Sequence, residues 1–349
     1  MTHASLIAEF DRLIRRDPAR RGLISGEAEF GPLCVGHLHG AAEELAARST
    51  LVVLVTGFFI PRAEPPCAET DGPPGTLLLA AALQAAGIET RVLTDEFCLP
   101  AVRAADEGME YARGRMLAHP HTCGAWVEEF LASEIGRRMS HLIAIERAGP
   151  SHTAESVQAQ RRDGLFDVGA FRAACPVEGH GCCHNRRGDN IDAHTGDTYR
   201  LFDAVREHRP DVRTIGVGDG GNEIGMGCIP WEELRRRLAG EQGGRIPCRV
   251  ATDWNIIAGT SNWGAQSLAA ATLVLRGQAE QLQPWDGEQQ RRALEHLVAH
   301  GPAVDGITRQ REATVDGLPF LTYIQPWEGI RRLLGFDHHS ADLPAGRIR

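Results

Sequence analysis

The chain has 349 residues, 42% hydrophobic and 24% charged, with a formal net charge of −9. This is the make-up of an ordinary soluble globular protein, and its acidity disfavours a nucleic-acid or anionic-membrane partner. All 37 basic residues are arginine and none is lysine, which excludes a pyridoxal phosphate Schiff base, a P-loop lysine and a lysine base.

Met1 to Arg20 carries Glu9, Asp11 and Asp17 and lacks an apolar centre. It reads as an amphipathic surface helix rather than a targeting segment, so the expected compartment is cytoplasmic. Residues 1–48 are set apart as a helical extension ahead of an α/β domain spanning 49–349. The nine cysteines read as free thiols. Leu51 to Thr56 is a valine-rich apolar run, the pattern of a parallel strand covered on both faces. A helix over Thr76 to Ala86, closed by Gly87, and a strand over Arg91 to Thr94 complete a βαβ unit. Helices are expected over Val102 to Ala118 and Ala125 to Met139, then a strand over His141 to Ile145. Ser151 to Thr195 is rich in Gly, His and Cys, lacks periodicity, and is too long for a plain connection. It reads as an excursion over the strand carboxyl ends. A helix over Thr198 to His208 and strands over Val212 to Val217 and Asn255 to Ala258 follow. The alternation predicts a doubly wound, mostly parallel α/β sheet with helices on both faces.

Polar, glycine-bearing turns follow four of these strands. They are Thr56-Gly57-Phe58 with Glu69-Thr70-Asp71-Gly72, then Glu146-Arg147-Ala148-Gly149-Pro150, then Gly218-Asp219-Gly220-Gly221-Asn222-Glu223, and last Gly259-Thr260-Ser261-Asn262-Trp263-Gly264. Ligands of open α/β sheets bind at that edge, so the four turns predict one shared site. The first βα connection has no Gly-x-Gly-x-x-Gly, which argues against a dinucleotide enzyme. Two bland alternatives stand beside the functional ones. Asp219 and Asn222 could serve as helix caps, and Arg147 could make a structural ion pair. Cys182-Cys183-His184 fits no common zinc spacing.

Together the turns resemble the D-glutamate cyclase family over roughly Leu51 to Pro319. Asn185-Arg186-Arg187-Gly188-Asp189 and Thr314-Val315-Asp316-Gly317 add to the likeness. The resemblance implies a hydro-lyase that closes D-glutamate to 5-oxo-D-proline with loss of water. Cys182-Cys183-His184 stands where an aromatic approach to the asparagine is expected, so lactam closure on another amino acid stays open. Such chemistry must neutralise a carboxylate, take a proton from an ammonium and return one to the departing oxygen. Asp219, Glu223, Glu146 and Arg147 are the catalytic candidates. Thr56, Gly57, Thr70, Asp71, Asn185, Gly220, Gly221, Asn222, Ser261, Asn262 and Trp263 are expected to hold the substrate. The N–H groups of Gly220 and Gly221 are proposed oxyanion donors. Without lysine, a divalent Mg²⁺ or Mn²⁺ on Glu69, Asp71 and Asp219 is an attractive Lewis acid. The expected partner is a small acidic amino acid, and a homo-oligomer is compatible with the sequence. A non-catalytic module whose glycine loop cradles an anion or nucleotide is the rival reading.

Overall fold

The computed structural model describes residues 1–109, 115–162, 164, 166–238 and 240–336. Its centre is a six-stranded sheet: β1 (Leu51–Thr56), β2 (Glu89–Asp95), β3 (Met116–His119), β4 (His141–Ile145), β5 (Arg213–Gly218) and β6 (Trp254–Ile257). All pairings are parallel, in the order β3-β2-β1-β4-β5-β6. The chain winds outward from β1 in one direction and, after β4, in the other. The crevice beyond the carboxyl ends of β1 and β4 is therefore the topological switch point, where doubly wound sheets bind ligands.

Side chains alternate between the two faces of each strand. Val52, Leu54, Ile143, Ile145, Ile215 and Val217 face one helical layer, formed largely by α1 (His3–Ile14), α2 (His37–Arg48), α3 (Pro73–Ala85), α8 (Ser261–Leu275) and α9 (Gly287–His300). Val53, Val55, Leu93, Leu142 and Ala144 face the other, which includes α5 (Gly124–Ala132) and α7 (Tyr199–His208). α8 is buried all round from Ser261 to Val274. Its run of Ala265 and Ala269 to Ala271 lets α2 and α3 approach it closely.

The segment before β1 is more than a surface appendage, because Ile7, Phe10 and Ile14 of α1 are fully buried in the main core. Two expected helices change. The first, α4 (Leu99–Met109), stops early; Met116–His119 instead pairs with β2 as an edge strand, while residues 110–114 lie outside the described part. Cross-strand pairing there overrides local helical preference. The second breaks at Ser133, whose hydroxyl accepts from Gly136 N–H and starts a new short helix, α6 (Glu134–Arg138). The helical continuation after Ser261 and the helix α9 were not anticipated from the sequence.

A small three-stranded sheet of Phe59–Ile60, Cys67–Glu69 and Ala303–Val304 sits beyond the end of β1 and carries Glu69. The 151–195 excursion is pinned by bridges from Pro150 to Cys183 and from Ser151 to Cys248. It delivers Asn185, Arg186 and Arg187 to the cavity described next. No helix among the described residues is long and apolar enough to cross a membrane.

Candidate active site

At the switch point lies a cavity of about 230 Å³. Glu69, Glu146, Asp219, Glu223 and Arg21 are its buried lining; Arg62, Arg186 and Arg187 are exposed at its margin, with Phe58, Ile246 and Leu238 among its apolar walls. Asp71 and Asp316 are buried just behind. Six buried carboxyl groups thus gather around one buried guanidinium. Asp71, Glu146 and Asp219 each place an oxygen within 4.8 Å of the others. Three of the four expected strand-end turns line the cavity, and Ser261 of the fourth lies behind it, bonded to Glu146.

Arg21 ion-pairs with both Asp219 and Asp316. Burial opposes its charge, but Asp316, Glu146, Asp71 and Glu69 together pull its pKa above the ordinary arginine value. Its Nε has no hydrogen-bond partner among the described residues. One guanidinium cannot balance six carboxylates, and the consequence is proton retention. Burial, then Asp316, pushes Asp71 up to about 8. Burial, then Glu146, lifts Glu69 well above its usual range, and burial, then Glu223, does the same to Glu146. Burial also raises Asp316.

Glu146 is held by its neighbours in a specific way. Ser261 Oγ donates to its Oε2 at 2.5 Å, and its φ is +46°. A non-glycine residue in that left-handed region costs of order 1 kcal/mol or more and persists only where surroundings enforce it. Here the opposing residue is Gly72, where an added Cβ would lie 2.8 Å from both Glu146 Cβ and Thr56 Oγ1. The close approach of two turns therefore requires glycine at 72.

Several of the expected site residues make bonds within the protein itself. Arg147 turns away from the cavity: it donates to Gly57 O at 2.9 Å, Gly196 O at 2.7 Å and Asp95 Oδ2 at 2.6 Å. It is a buried ion pair locking β1, β2 and the excursion together. Glu223 bends back on its own loop, accepting from Asp219 N–H at 3.1 Å, Gly220 N–H at 2.6 Å and Gly221 N–H at 2.8 Å. The proposed oxyanion donors are thereby already engaged, although Gly220 and Glu223 line the cavity. Gly221 packs on Leu238 instead. Asn262 Oδ1 accepts from Gly72 and Gly75 N–H, at 3.1 and 2.7 Å, and so caps α3. Asp71 returns the favour by accepting from Ser261 and Asn262 N–H, at 2.8 and 2.9 Å, at the start of α8. Two helices are cross-capped, each by a residue from the other's first turn region.

Trp263 is a packing residue, buried against Tyr323 with its indole N–H on Tyr323 O at 2.8 Å. Thr70 Oγ1 donates to Thr314 O at 2.7 Å, fastening the 314–317 turn that holds Asp316. Gly57 has φ +110° and rests on Cys98; Thr56 is buried behind Glu146 without lining the cavity. Asn222 and Asn185 do line it; Asn222 donates to His184 O at 2.9 Å, and Asn185 organises its own turn through Asp189. Glu146, not Glu69, completes the three-oxygen cluster with Asp71 and Asp219. The carboxylates of Glu69 and Glu146 are coupled by repulsion all the same.

Sequence reasoning missed Arg21 altogether. Nothing local distinguishes it from Arg15, Arg16 and Arg20 around it. Asp316 lay within a turn already picked out, but only its ion pair with Arg21 shows why it matters.

A sequence profile described as D-glutamate cyclase-like, C-terminal matches residues 10–164 and 174–331. The chain is also 32% identical over 282 residues to the human protein named D-glutamate cyclase, mitochondrial. That match covers 77% of this chain but 39% of the human protein, so the chain spans about two fifths of its relative's length. The profile begins at residue 10, and so takes in the stretch that carries Arg21 as well as the strand-end turns. The chain belongs to the D-glutamate cyclase-like, C-terminal family.

Proposed function

We propose that this cavity closes a small acidic amino acid, D-glutamate first among candidates, into its lactam with loss of water. One observation carries the reading: buried carboxyl groups that retain protons surround a guanidinium in a small cavity. The relative's name supplies the substrate. The volume, about 230 Å³, is below the roughly 300–1,000 Å³ of pockets for drug-sized ligands and suits a small molecule.

Lactam closure moves two protons from the substrate nitrogen to the departing oxygen, so the site needs both a donor and an acceptor. Glu146, held protonated by burial and by Glu223 and Asp71, gives a proton to the side-chain carboxylate and makes it electrophilic. Asp219 takes the first proton from the ammonium. The amine then attacks, and Arg21 offsets charge on the tetrahedral oxygen through its uncommitted Nε. Asp219 returns its proton to the leaving hydroxyl, which departs as water, while the second nitrogen proton restores Glu146. The cluster ends as it began. Glu223 and Asp71 act by holding the loop and the α8 start in place.

A divalent cation would suit the excess of carboxylates over arginine. Asp71, Glu146 and Asp219 form a hard-oxygen set of the kind Mg²⁺ or Mn²⁺ takes, and such an ion would supply Lewis acidity there. Against the rival anion-cradle reading, Glu223 already accepts from the loop N–H groups a phosphate would need.

The test is incubation with D- and L-glutamate, each with and without Mg²⁺ or Mn²⁺, followed by chiral analysis for 5-oxoproline. The proposal expects product from one enantiomer. No product from either in any condition counts against it.

A further inference from the structure

Of the nine cysteines, two meet. Cys34 and Cys228 lie 194 positions apart in the chain, yet their sulfurs are 4.0 Å apart, and both residues are partly exposed. Cys67, Cys98, Cys123, Cys175, Cys183 and Cys248 are buried. Cys34 sits in the turn before α2, with φ +52°. Arg15 approaches the same turn, donating to Leu33 O at 2.8 Å. We propose that Cys34 and Cys228 form a thiol–disulfide exchange site that accepts low-molecular-weight disulfides such as oxidised glutathione and closes to an intramolecular cross-link.

The two sulfurs differ in reactivity. The Cys228 S–H contact, against the opposing effect of burial and with help from the Arg15 charge, lowers the Cys34 pKa. Cys34 is alone in this among the cysteines with a resolved shift. Burial raises those of Cys67, Cys98, Cys123, Cys175, Cys182, Cys183 and Cys248, while Cys228 is raised first by its bond to Cys34. The thiolate is the attacking species, so Cys34 is the entry point and Cys228 the resolving partner. In the first step the Cys34 thiolate attacks one sulfur of the disulfide RSSR, forming Cys34–S–S–R and releasing RS⁻. Cys228, deprotonated, then attacks the Cys34 sulfur and releases the second RS⁻. The protein loses two electrons and two protons, and one RSSR becomes two RSH.

The cross-link has a defined place in the fold. Cys34 ends the segment that starts with Arg21, and Arg237 clasps that segment through Leu23 O, Phe30 O and Gly31 O. Cys228 lies five residues beyond Glu223, past the loop of Asp219 and Glu223. Closure therefore ties the Arg21 segment to the strand-end loop that Arg21 pairs with.

The experiment treats the reduced, folded full chain with oxidised glutathione, quenches with acid, and follows intact mass and an arginine-specific digest. The expected product is about 2 Da lighter, without bound glutathione, with residues 22–48 joined to 214–235. C228S should stop at a glutathione adduct on Cys34, and C34S should react at least tenfold more slowly than the wild type. The oxidised wild type should melt several degrees higher than the reduced form, a shift that C228S does not show. A cross-link between other cysteines, or C34S modified as fast as the wild type, overturns the proposal. So does folded protein left untouched by a glutathione excess that fully modifies urea-unfolded chain. None of these readouts depends on lactam formation, so the site fails or stands apart from the proposed activity.

Discussion

Replacing Arg21 with methionine removes the single buried guanidinium from a cluster of six buried carboxyl groups while keeping most of the side-chain volume. Arg21 is 9% exposed and its partners Asp219 and Asp316 are 3% exposed each, so solvent screens the pairs little. Removing one partner of a buried pair costs about 3–5 kcal/mol, because the remaining charge is left uncompensated. At about 2 °C per kcal/mol for a large domain, that is a fall of roughly 6–10 °C in melting temperature. The cost must also depend on pH. The folded-state pKa values of Asp71, Glu69 and Glu146 are raised, so between the ordinary carboxylate range and about 8 the folded protein binds more protons than the unfolded chain. Stability of the wild type therefore falls as pH rises through that window, and without Arg21 the fall is steeper. Urea unfolding of wild type and R21M at about pH 6 and about pH 9 measures both effects. A loss under about 1 kcal/mol, or one equal at the two pH values, would refute the claim that Arg21 is the cluster's counter-ion.

E146Q should lower turnover of D-glutamate by about 10²-fold or more while leaving the melting temperature unchanged or slightly higher, since it removes a buried ionisable group without removing volume. N262A should behave in the opposite way. It strips the cap from α3, three hydrogen bonds in all, and should cost about 1–3 kcal/mol in urea unfolding, with any rate loss following from stability. R147M should prove chiefly destabilising, by about 3–5 kcal/mol, because it orphans Asp95, which does not line the cavity; a purely catalytic defect in a fully stable R147M would contradict the structural assignment.

Much of the architecture was legible because its signals are local. Leu51 to Thr56 and His141 to Ile145 are apolar on both faces, which only a covered parallel strand requires. The turns after them carry Gly and acids that a strand interior would not tolerate. Their meeting point then follows from the sheet rule. What stayed hidden depends on partners remote in sequence. Arg147 and Glu223 looked catalytic because charge and loop position are visible in the sequence; the Gly57, Gly196 and Asp95 contacts and the three N–H groups that occupy them are not. Asp71 and Asn262 were both placed in strand-end turns, but a side chain that caps a neighbouring helix has the same composition as one that holds a ligand. Arg21 is the extreme case. It reaches the site from ahead of β1, and its value arises only from Asp219 and Asp316, far along the chain.

The most direct measurement uses D-glutamate carrying ¹⁸O in both oxygens of its side-chain carboxylate. Ring closure by amine attack on that carboxyl predicts 5-oxoproline that keeps one label while the other appears in water, with both reduced together in E146Q. Product retaining both labels, or labelled water released without any lactam, would contradict the account.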